Sequence, residues 1–196
     1  LQQTDEIYVA HGAPDRIFGA DWVQVEALAD QARLADLELI PNRIRHIGTE
    51  NCIKVLERFR DVLTHKIHIR TDCAVSDILA PGRSGARWMR QQADQLGLKA
   101  RSTSVDIGVR VELPAPVLKS ITDITYESKL VHYSKTFDDK VRTFCMNPYG
   151  EVVTEENNGL ITVNGHSYAE KRSQNTNFAI LVSSFFTEPF DDPIAY

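Results

Sequence analysis

The sequence predicts an α+β fold, in which helical segments accompany an antiparallel or mixed sheet. Three observations carry that expectation. In the first hundred residues apolar side chains recur at threes and fours, at Val25, Leu28, Ala29, Ala32 and Ala35, and again at Cys52, Val55, Leu56, Phe59, Val62 and Leu63. Beyond residue 100 the period falls to two, as in Val105–Glu112. The runs that follow are short and punctuated by turn residues, a pattern of hairpins rather than of crossover helices. The chain accordingly divides into a helix-rich part, 1–100, and a sheet-rich part, 101–196.

The elements follow in order. Glu6–Ala10 reads as a short strand and His11–Pro14 as a turn. Asp21 is placed to cap the helix that carries Val25 to Ala35, and Pro41 ends that region. Thr49 is the expected cap of the second helix, with Glu50 in its first turn where the helix dipole favours an anion. Lys66–Arg70 alternates like a strand, and Ala74–Leu79 is also strand-like. A third helix is expected from about Ser84 to Leu96, buried through Trp88, Met89, Ala93 and Leu96 and stopped by Gly97. Val105, Ile107, Val109 and Val111 alternate with polar residues as in a half-buried strand. Strands are expected at 130–134, 141–146, 151–154 and 160–164, with Asn158–Gly159 as a hairpin turn. Ala179–Phe186 suits a strand or a buried helix equally.

Composition excludes several classes. The 196 residues carry 22 Lys and Arg against 27 Asp and Glu, so a net charge of -5 argues against a nucleic-acid partner. With 42% hydrophobic residues the chain suits one folded domain, or one domain and a piece of another. No apolar run is long enough to cross a membrane. Cys52, Cys73 and Cys145 are scattered and odd in number, which is neither a disulfide framework nor a zinc knuckle. The polar start Leu1–Glu6 is not a signal peptide, and a cytoplasmic location is the expectation.

Four segments have residue types that carry chemistry. Ala80–Gly85 leads toward a helix. Gly82 and Gly85 permit close approach of a ligand, Ser84 precedes free helix amides, and Arg83 adds charge-assisted hydrogen bonds to an anion. The same residues also make an ordinary turn and cap. His46–Cys52 is a second loop-to-helix entry, where His46 is available to an anion or redox ligand and Cys52 suits the buried stripe. Val141–Gly150 carries Arg142, Cys145 and Asn147; strand alternation puts Cys145 with Val141 and Thr143 on one face. A reactive Cys145 would need a base or cation beside it; a core cysteine would not. In Val163–Tyr168, His166 and Tyr168 are candidate proton donors or plain polar loop residues. His65 and His68 lack a supporting carboxylate pattern, and no HExxH, paired CxxC, GxSxG or GxGxxG occurs.

Taken in series, Arg45–Cys52, Ala80–Gly85, Val105–Glu112, Phe144–Val153, Val163–Tyr168 and Asn177–Val182 resemble the bacterial FAD-dependent dehydrogenases, often described as NAD(FAD)-utilising dehydrogenases. The resemblance runs over nearly the whole chain. It implies the inserted or substrate domain, plus part of the FAD domain, of a flavoprotein with two dinucleotide-binding domains. It implies FAD as cofactor, NAD(P)H as co-substrate and a small-molecule substrate. Gly82, Arg83, Ser84 and Gly85 become the expected cofactor-proximal residues, and Cys145, Asn147 and His166 the candidates on the substrate side. It also implies stretches absent from this sequence: a strand–GxGxxG–helix unit ahead of Leu1, residues near His11–Ala13 and between Leu79 and Ala80, and a return segment after Tyr196. The competing expectation is a stand-alone ligand-binding module derived from such a domain, without redox activity.

Overall fold

Asp21 begins the first long helix as expected: its Oδ1 accepts from the Gln24 backbone N–H at 3.2 Å. In the computed structural model, which describes residues 2–73, 87–98, 104–157 and 160–186, that helix is α2 (Trp22–Leu34). It follows α1 (Gln2–Ala10) and leads to β1 (Glu38–Ile40). Then come α3 (Thr49–Thr64), α4 (Arg87–Gln95), β2 (Val105–Pro114) and α5 (Ala115–Thr125). The remainder is sheet: β3 (Lys129–Tyr133), β4 (Lys140–Pro148), β5 (Glu151–Asn157), β6 (Leu160–His166) and β7 (Asn175–Ser184). This is the expected mixture of helices and antiparallel sheet.

The described residues fall into two compact units. One comprises 2–62 and 106–184. It holds a five-stranded sheet in the order β1-β3-β4-β7-β2 and a two-stranded β5-β6 sheet. The β1–β3, β3–β4, β4–β7 and β5–β6 ladders are all antiparallel. Val25 and Leu28 of α2, Leu39 of β1, Ala115 of α5, Val131 of β3, Met146 of β4 and Ala179 of β7 form its buried apolar core. The other unit, 63–105 with 185–186, contains α4. There Gly97 takes φ +66° and closes the helix, with its N–H on the Asp94 carbonyl and the Leu98 N–H on Ala93.

Several expectations are corrected. Glu6–Ala10 belongs to α1, not to a strand; Ile7–Tyr8–Val9 has strand-like residues, but Tyr8 packs edge-on against Phe59 of α3, 5.5 Å between centroids. Lys66–Arg70 is not a strand, because the Lys66 and Ile67 N–H groups fold back onto the Leu63 carbonyl. On α3 only Val55 is buried; Leu56 is 64% exposed and Cys52 is exposed. On β2 the alternation is kept only in part: Val105 and Val111 are half-buried, but Ile107 and Val109 are exposed and Arg110 is half-buried. Helix α5 and strand β1 were not expected. Pro116 stands in the first turn of α5, where its missing N–H costs nothing. Ala179–Phe186 resolves as the end of a strand for Ala179–Ser184. Ala74–Leu79, the Ser84 cap and the Asn158–Gly159 turn lie outside the described residues, although β5 and β6 pair from Glu151–His166 through to Asn157–Leu160.

Candidate functional site

Two polar assemblies stand out in the larger unit. The first is built around Arg110. The expected alternation along β4 fails at Cys145, which adopts φ +47°, and the β4–β7 register shifts between Phe144 and Asn147. Met146, Asn147 and Pro148 are consequently all buried in succession. The bulge turns the Cys145 carbonyl onto the Arg110 guanidinium, 3.2 Å from Nη1. Nη1 also donates to Asn177 Oδ1 at 2.5 Å, and Nη2 donates to Asn164 Oδ1 at 3.4 Å. Asn147 Nδ2 donates to the Cys145 carbonyl at 2.9 Å and to Asn177 Oδ1 at 3.3 Å. Asn164 passes the network to Glu155 through a 2.9 Å bond.

Gly165 makes this closeness possible: a Cβ there would overlap Asn147 Nδ2 and Arg110 Nη1. Cys145 Sγ has only weak neighbours, Asn147 Nδ2 at 3.7 Å and Asn164 Oδ1 at 4.0 Å. Neither is a base that would take its proton. Thus Cys145 and Asn147 come together. His166 comes near them only through its backbone carbonyl, which lies beside Gly150; its ring meets Tyr168 edge-on at 4.7 Å.

The second assembly surrounds His46. Its Nε2 lies 2.7 Å from the Tyr168 carbonyl and 2.9 Å from the Tyr126 hydroxyl, and its ring stacks on Tyr126 at 4.0 Å. A carbonyl only accepts, so Nε2 carries the hydrogen and Nδ1 is the unprotonated nitrogen of the neutral ring. Burial pushes the imidazole below its ordinary value, partly opposed by the Tyr168 carbonyl and by Glu50. Burial also raises the Tyr126 phenol, so it stays a neutral hydroxyl.

The α3 entry, which the sequence leaves as either an anion contact or an ordinary helix cap, is occupied by the chain itself. Thr49 Oγ1 donates to the Ser167 carbonyl at 2.8 Å, and Glu50 Oε1 accepts from the Ala169 N–H at 3.0 Å. Gly48, at φ +82°, lies directly against Ala169. Glu50 is held below its ordinary value by its own backbone N–H first, against desolvation, with help from Ala169 and Arg172.

Beside this assembly is a cavity of about 210 Å³. The loop after α1 supplies Arg16 and Phe18, α5 supplies Thr122 and Asp123, and the β4–β5 turn supplies Tyr149. His46, Tyr126, Tyr168, Glu170 and Lys171 complete most of its wall. Sequence reasoning had singled out His46 and Tyr168 but missed Arg110, Thr122, Tyr126 and Asn177. Two signals were present: a glycine inside a strand pattern at Gly165, and an arginine between two valines at Arg110.

The fold and these assemblies define an α+β architecture with a part-buried polar network and a small pocket. Residues 104–192, somewhat under half of the chain, match the family model described as FAD-dependent protein, C-terminal domain-like. That stretch is similar to a domain of FAD-dependent proteins, which supports FAD as the implied cofactor. No curated protein matches the chain. No described helix is long and apolar enough to cross a membrane, and no described cluster of His, Cys, Asp and Glu could hold a metal ion.

The described residues do not fit the pyrophosphate of FAD. Such a cradle needs glycines free to approach a ligand at a helix start. Of the glycines with described surroundings, all but Gly97 lie against protein atoms, and Gly97 follows a helix rather than opening one. A hollow of about 970 Å³ beside α1 is roomy enough, but no described glycine lines it, and its Arg45 is already bound to Asp5 Oδ1 at 2.7 Å. Gly82, Arg83, Ser84 and Gly85 lie outside the described residues.

Proposed function

We propose that this chain provides the substrate-facing domain of an FAD-dependent oxidoreductase that acts on a small molecule, with NAD(P)H as the second redox partner. The match of residues 104–192 to the C-terminal domain of FAD-dependent proteins carries the reading. The flavin supplies the electron chemistry. The described residues form a small cavity and no pyrophosphate cradle, so their contribution is to bind and orient substrate. In this reading Tyr168 borders the cavity, while Cys145, Asn147 and His166 are not among its lining residues. Cys145 is structural rather than nucleophilic, because no base faces its sulfur among the described residues. Native mass spectrometry of the natively expressed protein tests the assignment. One FAD per polypeptide is the expected result; a protein free of flavin would overturn it.

The cavity itself favours a second reading. Its described lining residues all belong to one unit, so a ligand-binding module without redox activity suffices to account for it. Reduction of bound flavin by NADH or NADPH separates the two readings, since the module predicts none.

A further inference from the structure

We propose that the cavity beside His46 binds a small planar anion, a single-ring aromatic or heteroaromatic carboxylate. The site goes beyond the flavin reading and stands whether or not flavin is present.

Size comes first. About 210 Å³ is room for one ring and its substituent and too little for a dinucleotide. The walls come second. Phe18, Tyr126 and Tyr149 contribute aromatic surface, which favours a flat π partner.

Charge comes third. Arg16 and Lys171 each lie over a ring, at 4.1 Å from the Phe18 and Tyr149 centroids. Neither forms an ion pair among the described residues. Of the two acids on the wall, Asp123 is paired with Lys119, which leaves Glu170 alone against two cations. A ligand carrying one negative charge completes that balance.

The fourth observation is independent of these. Thr122 lines the cavity and is only 3% exposed, yet its hydroxyl has no hydrogen-bond partner. An orphaned buried hydroxyl is costly unless something supplies the missing bond. A carboxylate oxygen would accept from it, while Lys171 and Arg16 hold the charge.

The experiment is a set of calorimetric titrations of the purified chain with benzoate, nicotinate, benzamide and inorganic phosphate. Benzoate or nicotinate should bind saturably and about tenfold or more tighter than benzamide, the scale of one charge-assisted hydrogen bond. Lys171→Gln should weaken benzoate about tenfold and leave benzamide unchanged. Thr122→Val should weaken benzoate with no loss of thermal stability, because it removes an unsatisfied group. Benzamide binding as tightly as benzoate would overturn the charge argument. Phosphate binding as tightly as benzoate would overturn the ring argument, and no saturable binding of either carboxylate would overturn the site. Flavin content, read separately by absorbance, bears on the redox reading alone, so the two failures are distinguishable.

Discussion

Replacing Gly165 with alanine is the sharpest test of the Arg110 network. The new methyl group would overlap Asn147 Nδ2 and Arg110 Nη1 and sit 2.6 Å from Asn177 Oδ1. Gly165 has no left-handed backbone angle, so the whole effect is steric. None of the three atoms has room to retreat without breaking a bond: Arg110 and Asn147 both donate to the same Asn177 oxygen. Loss of one hydrogen bond to a charged group and one between neutral groups costs about 3 kcal/mol. Forced overpacking of a buried site gives a similar figure, about 1–3 kcal/mol. At this chain length each kcal/mol moves Tm by about 2–4 °C, so Gly165→Ala should melt about 6–12 °C lower. Thermal melts followed by circular dichroism read this directly. Gly97→Ala is the control: no atom lies within 4 Å, and only its φ of +66° resists, which costs about 1–2 kcal/mol. A Gly165→Ala protein melting within about 2 °C of the parent would refute the network as drawn.

Other outcomes follow from single contacts. Asp21→Ala removes the α2 cap and should cost about 1 kcal/mol by urea denaturation. His46 makes stability depend on pH. Its folded value is lowered, so the unfolded chain binds the proton first as pH falls. The contribution is complete above the unfolded value near 6.5 and declines as pH drops through the folded value. Melts from pH 7.5 to 5 should therefore show a falling Tm that His46→Phe flattens in that window; an unchanged slope would contradict the buried neutral imidazole. Thiol titration should give two fast sulfhydryls, the exposed Cys52 and Cys73, and one slow, Cys145. Three equally fast thiols would place Cys145 at the surface.

How much of this was legible depended on whether the signal was local. The Asp21 cap, the Gly97 stop and the β5–β6 pair follow from neighbours in sequence, and the structure has them. Helix α1 was obscured because Ile7, Tyr8 and Val9 are residues that favour strands, while the contact that holds them, with Phe59, is fifty residues away. In α5 the β-branched Val117, Ile121, Thr122 and Thr125 hid a helix whose start was marked by Pro116. The apolar stripe of α3 was real as a pattern, but a pattern does not say what covers it, and among the described residues only Val55 is buried.

The site was harder to see for a related reason. Period-two reasoning assigns the valines of β2 to the core and Arg110 to water. Arg110 instead turns onto polar partners, because the Cys145 carbonyl, Asn164 Oδ1 and Asn177 Oδ1 accept from its guanidinium and Gly165 leaves space for it. Three acceptors from three different strands cannot be read from any one of them. The same accounting separates the two assemblies by role. Two of the three guanidinium nitrogens of Arg110 meet protein acceptors, and no adjoining cavity among those described is lined by it. That cation is a structural clamp. Arg16 and Lys171 rest on aromatic rings at the wall of a cavity, with a buried hydroxyl beside them left without a partner. Polar groups whose partners are protein hold the fold, and those whose partners are missing around a cavity mark the place for a ligand.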